Sequence, residues 1–287
     1  VSYRRRSSPL HAARASCACL WCLSLVCAAL IVGNPVALSL VVLAVLAAGV
    51  GAKVGREIGR ATLLALPVAA LIALINALVT RDGLTVIARL GDLPVLGHTD
   101  VTLEALAYGG VLGLRAAALI LCGALYTAAV DPDQVLRLFR RVSFHSALTA
   151  TLATRMVPVL VRDARRLADA QRCRPGPSAS RLQLMRATTA GVLDRALDVA
   201  AALEVRGYGA ARRPPRHRPP WSRHDIAFAV SAAGVLALSL ALRVAGLAPF
   251  HAYPTFSLSL TTGGLATCGG LLACALVPFA DRRGLER

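Results

Sequence analysis

Two arginines occupy matching places in a long polar stretch: Arg174 in "ADAQRCRPG" and Arg206 in "AALEVRGYG". Each closes a helix-forming run, the first just before Pro175 and Gly176, the second just before Gly207. A cation at a helix C-terminus complements the helix dipole by about 0.3–1 kcal/mol, which accounts for either arginine alone. Two such ends in one segment point further, because guanidinium is a rigid fork of donors suited to bidentate pairing with a carboxylate. The small residues before each arginine leave room for another surface to come close.

Other chemistry is harder to assemble from this chain. Cys19 and Cys22 have the spacing of half a zinc site, but no second Cys or His pair stands at a ligand distance from them. Cys17, Cys19, Cys22 and Cys27 share one apolar run, and Cys122, Cys268 and Cys274 lie in others. They are expected to be small buried hydrophobes, with no disulfide framework and no metal. His11, His98, His145, His217, His224 and His251 are scattered through separate segments. A membrane enzyme, such as a lipid-modifying transferase, needs convergent acids, bases or ligands. The chain is therefore expected to have no catalytic residues and no cofactor of its own.

The elements that must carry the two arginines follow from composition. Of 287 residues, 56% are hydrophobic and the mean hydropathy is +0.61. The apolar residues come in blocks, and about 20 in a helix cross a hydrocarbon core of roughly 30 Å. Six spans are expected: Cys17–Val32, Pro35–Val50, Ala61–Val79, Leu106–Val130, Ile226–Leu247 and Phe256–Phe279. The first two are short and joined by "GNP". The basic start before Cys17 resembles a signal peptide, but a second apolar run follows at once, so the first is expected to be a retained span.

The net charge of +17 is consistent with nucleic-acid binding until it is located. Eighteen of the 32 basic residues fall between Asp131 and His224, and no readout motif accompanies them. With both termini inside, 28 of the 32 lie on the inner side, as the positive-inside bias requires. No nucleic-acid partner is expected. Aspartate and glutamate are expected to avoid the spans, so no intramembrane proton or cation relay is foreseen. Arg115 and Arg243 are expected to snorkel.

The expected fold class is all-α and polytopic: a membrane region over 1–130, a cytoplasmic helical domain over 131–224, and a second membrane region over 225–287. Asp131, Pro132 and Asp133 have the residue types of a helix start. A long helical run from Ser146 carries Ala164, Leu167, Ala168 and Gln171 on one face and is expected to be interrupted or kinked near Pro158. A second, from about Gly191 to Arg206, turns Val192, Ala196, Val199, Ala200 and Leu203 to one side and stops at Gly207. Tyr208 is expected to pack behind it, and Arg155 to stay solvated, the alternative being a brace against the span ends.

This segment resembles the transmembrane coupling subunit, or T component, of energy-coupling factor (ECF) transporters, bacterial importers of vitamins and transition-metal ions that include the cobalt-type permeases. Members look like "AQRARG" at the first helix end and "AMEARGY" at the second. Here Cys173, Arg174 and Pro175 stand at the first and Val205, Arg206 and Gly207 at the second, so both arginines match while both alanines and the first glycine are replaced. Asn34–Pro35, "NAL" at Asn76–Leu78, "DPDQVLRLFRR" and "TRMVP" at Thr154–Pro158 extend the likeness over most of the chain.

The resemblance implies that this chain passes motion from two ABC-type ATPase subunits to a small substrate-binding membrane subunit, the S component. ATP and Mg would be used by the ATPases. Arg174 and Arg206 would engage acidic residues there, together with their neighbours Gln171, Cys173, Glu204, Val205 and Gly207. The location implied is the bacterial plasma membrane. An ordinary ABC-type permease or a non-transport membrane scaffold are the alternatives, separated by what co-purifies.

Overall fold

A computed structural model of the chain describes residues 6–80, 85–93, 97–139, 144–173, 180–207, 220–251, 257–258 and 261–281. It is helical throughout its spans, and it divides into two compact units, residues 1–135 with 221–287, and residues 136–220. The first is called the membrane unit below and the second the insert.

In the membrane unit a short helix, α1 (Pro9–Ala12), precedes α2 (Ala15–Ile31), α3 (Pro35–Gly51), α4 (Gly55–Val79) and α5 (Leu103–Ala129). After the insert come α9 (Arg223–Val244), α10 (Thr262–Leu276) and a 3-10 turn, Val277–Phe279. Among the described residues, α4, α5, α9 and the α10 segment through Phe279 are long and apolar enough to cross a membrane. α2 and α3 have 17 residues each, about 26 Å of helix. Asn34 separates them by design of its side chain: its Oδ1 accepts from Val36 N–H at 2.9 Å and so starts α3.

The core forms where α2 meets α9, α3 and α5. Trp21, Phe228 and Phe279 meet edge to face with centroids 5.5–5.6 Å apart, the arrangement aromatic quadrupoles favour. Trp21 Nε1–H donates to Ser231 Oγ at 3.0 Å, and Ser231 Oγ–H donates to the Cys274 carbonyl at 2.7 Å. One polar chain thus links α2, α9 and α10, and leaves the buried indole satisfied. α4 and α5 pack through small residues. A Cβ on Gly113 would stand 2.5 Å from the Ala69 carbonyl, and one on Gly109 2.8 Å from that of Ala73. The four-residue spacing of these glycines is what lets the two backbones approach.

Two features revise the sequence expectations for the spans. First, the helices start earlier, so Glu57, Glu104 and Asp225 lie in first turns of α4, α5 and α9, where the dipole favours a negative charge. Glu104, 2% exposed, accepts from Thr85 N–H at 3.2 Å and Thr85 Oγ–H at 2.7 Å. Second, Arg115 does not snorkel. Its Nε and Nη2 donate to the carbonyls of Ala29 and Val32 at 3.2 and 3.0 Å, satisfying the open C-terminal end of α2. The helical class holds, with two antiparallel hairpins added in connecting segments: β1 (Val86–Leu93) with β2 (Gly97–Thr102), and β3 (Phe250–His251) with β4 (Ser257–Leu258).

α6 (Pro132–Phe139) begins as the sequence predicts, Asp131 Oδ1 accepting from Asp133 N–H at 3.0 Å. The insert proper contains α7 (Phe144–Arg172) and α8 (Arg181–Val205). α7 is one helix with Pro158 inside it. α8 starts ten residues before the expected Gly191, because Ser180 and Gln183 form a capping box: Ser180 Oγ accepts from Gln183 N–H at 3.3 Å and Gln183 Oε1 from Ser180 N–H at 3.0 Å.

Candidate coupling site

The two helices of the insert fit through one face each. On α7, Ala164, Leu167, Ala168 and Gln171 are half-buried, the face the sequence predicts. On α8 the half-buried row is Leu184, Thr188, Val192, Arg195, Val199 and Leu203, so Val192, Val199 and Leu203 of the expected face are inward. Ala196 and Ala200 are exposed instead, because the true row advances by three and four from an earlier start. An ion pair between Arg195 and Asp163 joins the helices midway.

The end of α8 is built for a stop. Gly207 has φ +74, a left-handed backbone that glycine adopts without cost from a Cβ. Its N–H donates to the Glu204 carbonyl at 2.8 Å, and that of Arg206 to Ala202 at 3.3 Å. These bonds hold the last turn closed and leave the side chains of Glu204, Val205 and Arg206 outward. All three are exposed, Val205 by 89%. Arg206 has no ion-pair partner among the described residues.

At the end of α7, Gln171 is half-buried and Cys173 exposed, while Arg172 pairs with Asp169 at 3.5 Å on the open surface. Arg174 and Tyr208 lie outside the described residues. The six described residues among those singled out in the sequence do not form one cluster. Gln171 and Cys173 belong to the end of α7, and Glu204, Val205, Arg206 and Gly207 to the end of α8, which is about 36 Å along the axis from its own start at 1.5 Å per residue. The signal missed in the sequence is the apolar row on the outer side of α8: Leu182, Met185, Leu193 and Leu197 are 58–68% exposed. Its members are 3, 8 and 4 residues apart, which keeps them near one side of the helix, but the row overlaps the inward one in a sequence rich in both.

Among the described residues, no three His, Cys, Asp or Glu side chains gather at metal-binding distance. What the molecule offers is a multi-span membrane body and a polar helical pair with an exposed cationic end, the form of a membrane transport component. A family model described as cobalt transport protein, CbiQ, matches residues 6–221, and the chain belongs to that family. The family is one of transport components and not of enzymes. No curated protein matches the chain.

Proposed function

We propose that the chain is the T component of an ECF-type ABC importer. In this reading the insert lies in the cytoplasm with both chain termini, as the distribution of arginine and lysine favours. Two ATPase subunits grip the ends of α7 and α8, and a separate small membrane subunit binds the solute, a vitamin or a transition-metal ion. The name of the family makes cobalt the first solute to try. The observation that carries the reading is Arg206: an exposed guanidinium on a closed, glycine-stopped helix end, with no partner of its own among the described residues. A stiff helix with a charged fork at its tip passes on a displacement that a loop would absorb. Arg174 has the matching role at the other end by resemblance, with Gln171, Cys173, Glu204, Val205 and Gly207 shaping the two contacts.

Affinity purification of the intact complex tests this. The expected companions are two ATPases and one small membrane protein. Arg206→Ala is expected to insert and fold normally while weakening ATPase association by about 2–5 kcal/mol, the usual effect of truncating one member of a desolvated charge pair. Wild-type chain that purifies without ATPases, or Arg206→Ala that binds them as tightly as wild type, overturns it.

A further inference from the structure

The arm of residues 6–14 touches the membrane unit at the two places where the insert leaves it and rejoins it. At the point of return, Asp225 is 1% exposed. Its Oδ1 accepts from Arg14 N–H at 2.7 Å, its Oδ2 accepts from Ser222 N–H at 2.9 Å, and Arg14 Nε pairs with Oδ2 at 3.1 Å. The Arg14 guanidinium also lies over Trp221, 5.9 Å from the ring centroid, within cation–π range. Arg14 is the N-cap residue of α2 and Asp225 lies in the first turn of α9, so one carboxylate serves the starts of both helices.

At the point of departure, Leu10, His11 and Ala13 face Ala129, Val130 and Asp131 across a narrow cleft. Leu10 and Val130 are 1% and 4% exposed. The beginning of the arm is fixed separately. Arg6 pairs with Glu57 at 2.5 Å and donates to the Lys53 carbonyl, and Lys53 Nζ donates to Ser7 Oγ at 3.0 Å. The arm therefore runs from the corner between α3 and α4 across the end of α5 to the start of α9.

Burying a carboxylate costs several kcal/mol unless it is paired and fully hydrogen-bonded. Ser222 already caps α9 through its own hydroxyl, which accepts from Asp225 N–H at 3.1 Å. The carboxylate of Asp225 completes that cap by accepting from Ser222 N–H, and with its other contacts it ties this helix start to the arm. We propose that residues 6–14 are a clasp that holds the insert's exit and return points in fixed register, with Asp225 and Arg14 as its positioning residues, so that displacement of the insert moves the spans instead of parting the two junctions. This rests on the coupling reading above. It assigns a part to an N-terminal segment that neither arginine-tipped helix contains.

The test uses the full complex in proteoliposomes, with Asp225→Asn, which keeps the side-chain shape, and Arg14→Gln, which keeps the N–H that Asp225 accepts. Both are expected to assemble and hydrolyse ATP, while solute moved per ATP falls by roughly fivefold or more, the low end of ordinary coupling energies. Backbone hydrogen exchange is expected to rise together at residues 129–134 and 221–225. An unchanged transport-to-hydrolysis ratio overturns the clasp, as does faster exchange at 221–225 alone. Failure of both variants to assemble assigns the arm to folding and overturns it equally. A wild-type chain without ATPases defeats the coupling reading instead, so the two failures are told apart.

Discussion

The membrane unit and the insert expose apolar side chains for opposite reasons. In the membrane unit Trp21, Leu25, Leu38 and Phe228 are fully enclosed, and the exposed leucines lie on helices such as α4, which is apolar nearly all round beyond its charged first turns. Lipid covers such a surface without a specific partner. In the insert no described residue is buried. Leu182, Met185, Leu193 and Leu197 are nevertheless outward on a helix that also carries Arg186, Asp194 and Asp198, a composition that keeps it out of hydrocarbon. One region is finished by its solvent. The other turns an apolar row outward from a polar helix, and among the described residues it is held in shape by caps and the Arg195–Asp163 ion pair across its helices.

The contrast can be broken by substitution. Trp21→Ala is expected to cost about 3–5 kcal/mol, through the lost aromatic contacts and the cavity left behind, and to appear as a large fall in the thermal midpoint in detergent. Should it be silent, the enclosed core is not what stabilises the membrane unit. Ser180→Ala is expected to cost about 1 kcal/mol by removing the N-cap, read as faster amide exchange confined to the first turns of α8. Spread of that loosening into α2 or α9 would mean that the two units do not unfold separately. The smallest effect belongs to Leu193→Ala, expected to change the stability of the isolated chain by no more than about 0.5 kcal/mol, the range of exposed surface substitutions. A loss comparable to that of Trp21→Ala would show the outer row of α8 to be core.

Local signals were readable in the sequence wherever one element sufficed to interpret them. Asp131 before Pro132 is seen to cap α6, and Gly207 stops α8 with the positive φ its residue type allows. The inward face of α7 follows from its spacing. The start of α8 is a different case: "SRLQ" contains a complete capping box, but the threonines and the exposed leucines after it blur the helical period. The capping box of Asp225 with Ser222 is local, but the bonds of Arg115 to α2 and of Asp225 to Arg14 were beyond local reasoning. Those partners are 83 to 86 and 211 residues away in the chain, and nothing near either residue points to a cap on a distant helix. The arginine ends themselves were visible as motifs, while the exposure of Arg206 had to come from its geometry.

Cys173 has a practical consequence. It is exposed at the end of α7, whereas Cys17, Cys19, Cys22, Cys27, Cys122, Cys268 and Cys274 are buried or half-buried along membrane helices. A water-soluble maleimide dye should therefore label the native chain at one site beside Arg174, with no engineered thiol. The speed of that labelling, with and without nucleotide, then becomes a gauge of when this tip is covered.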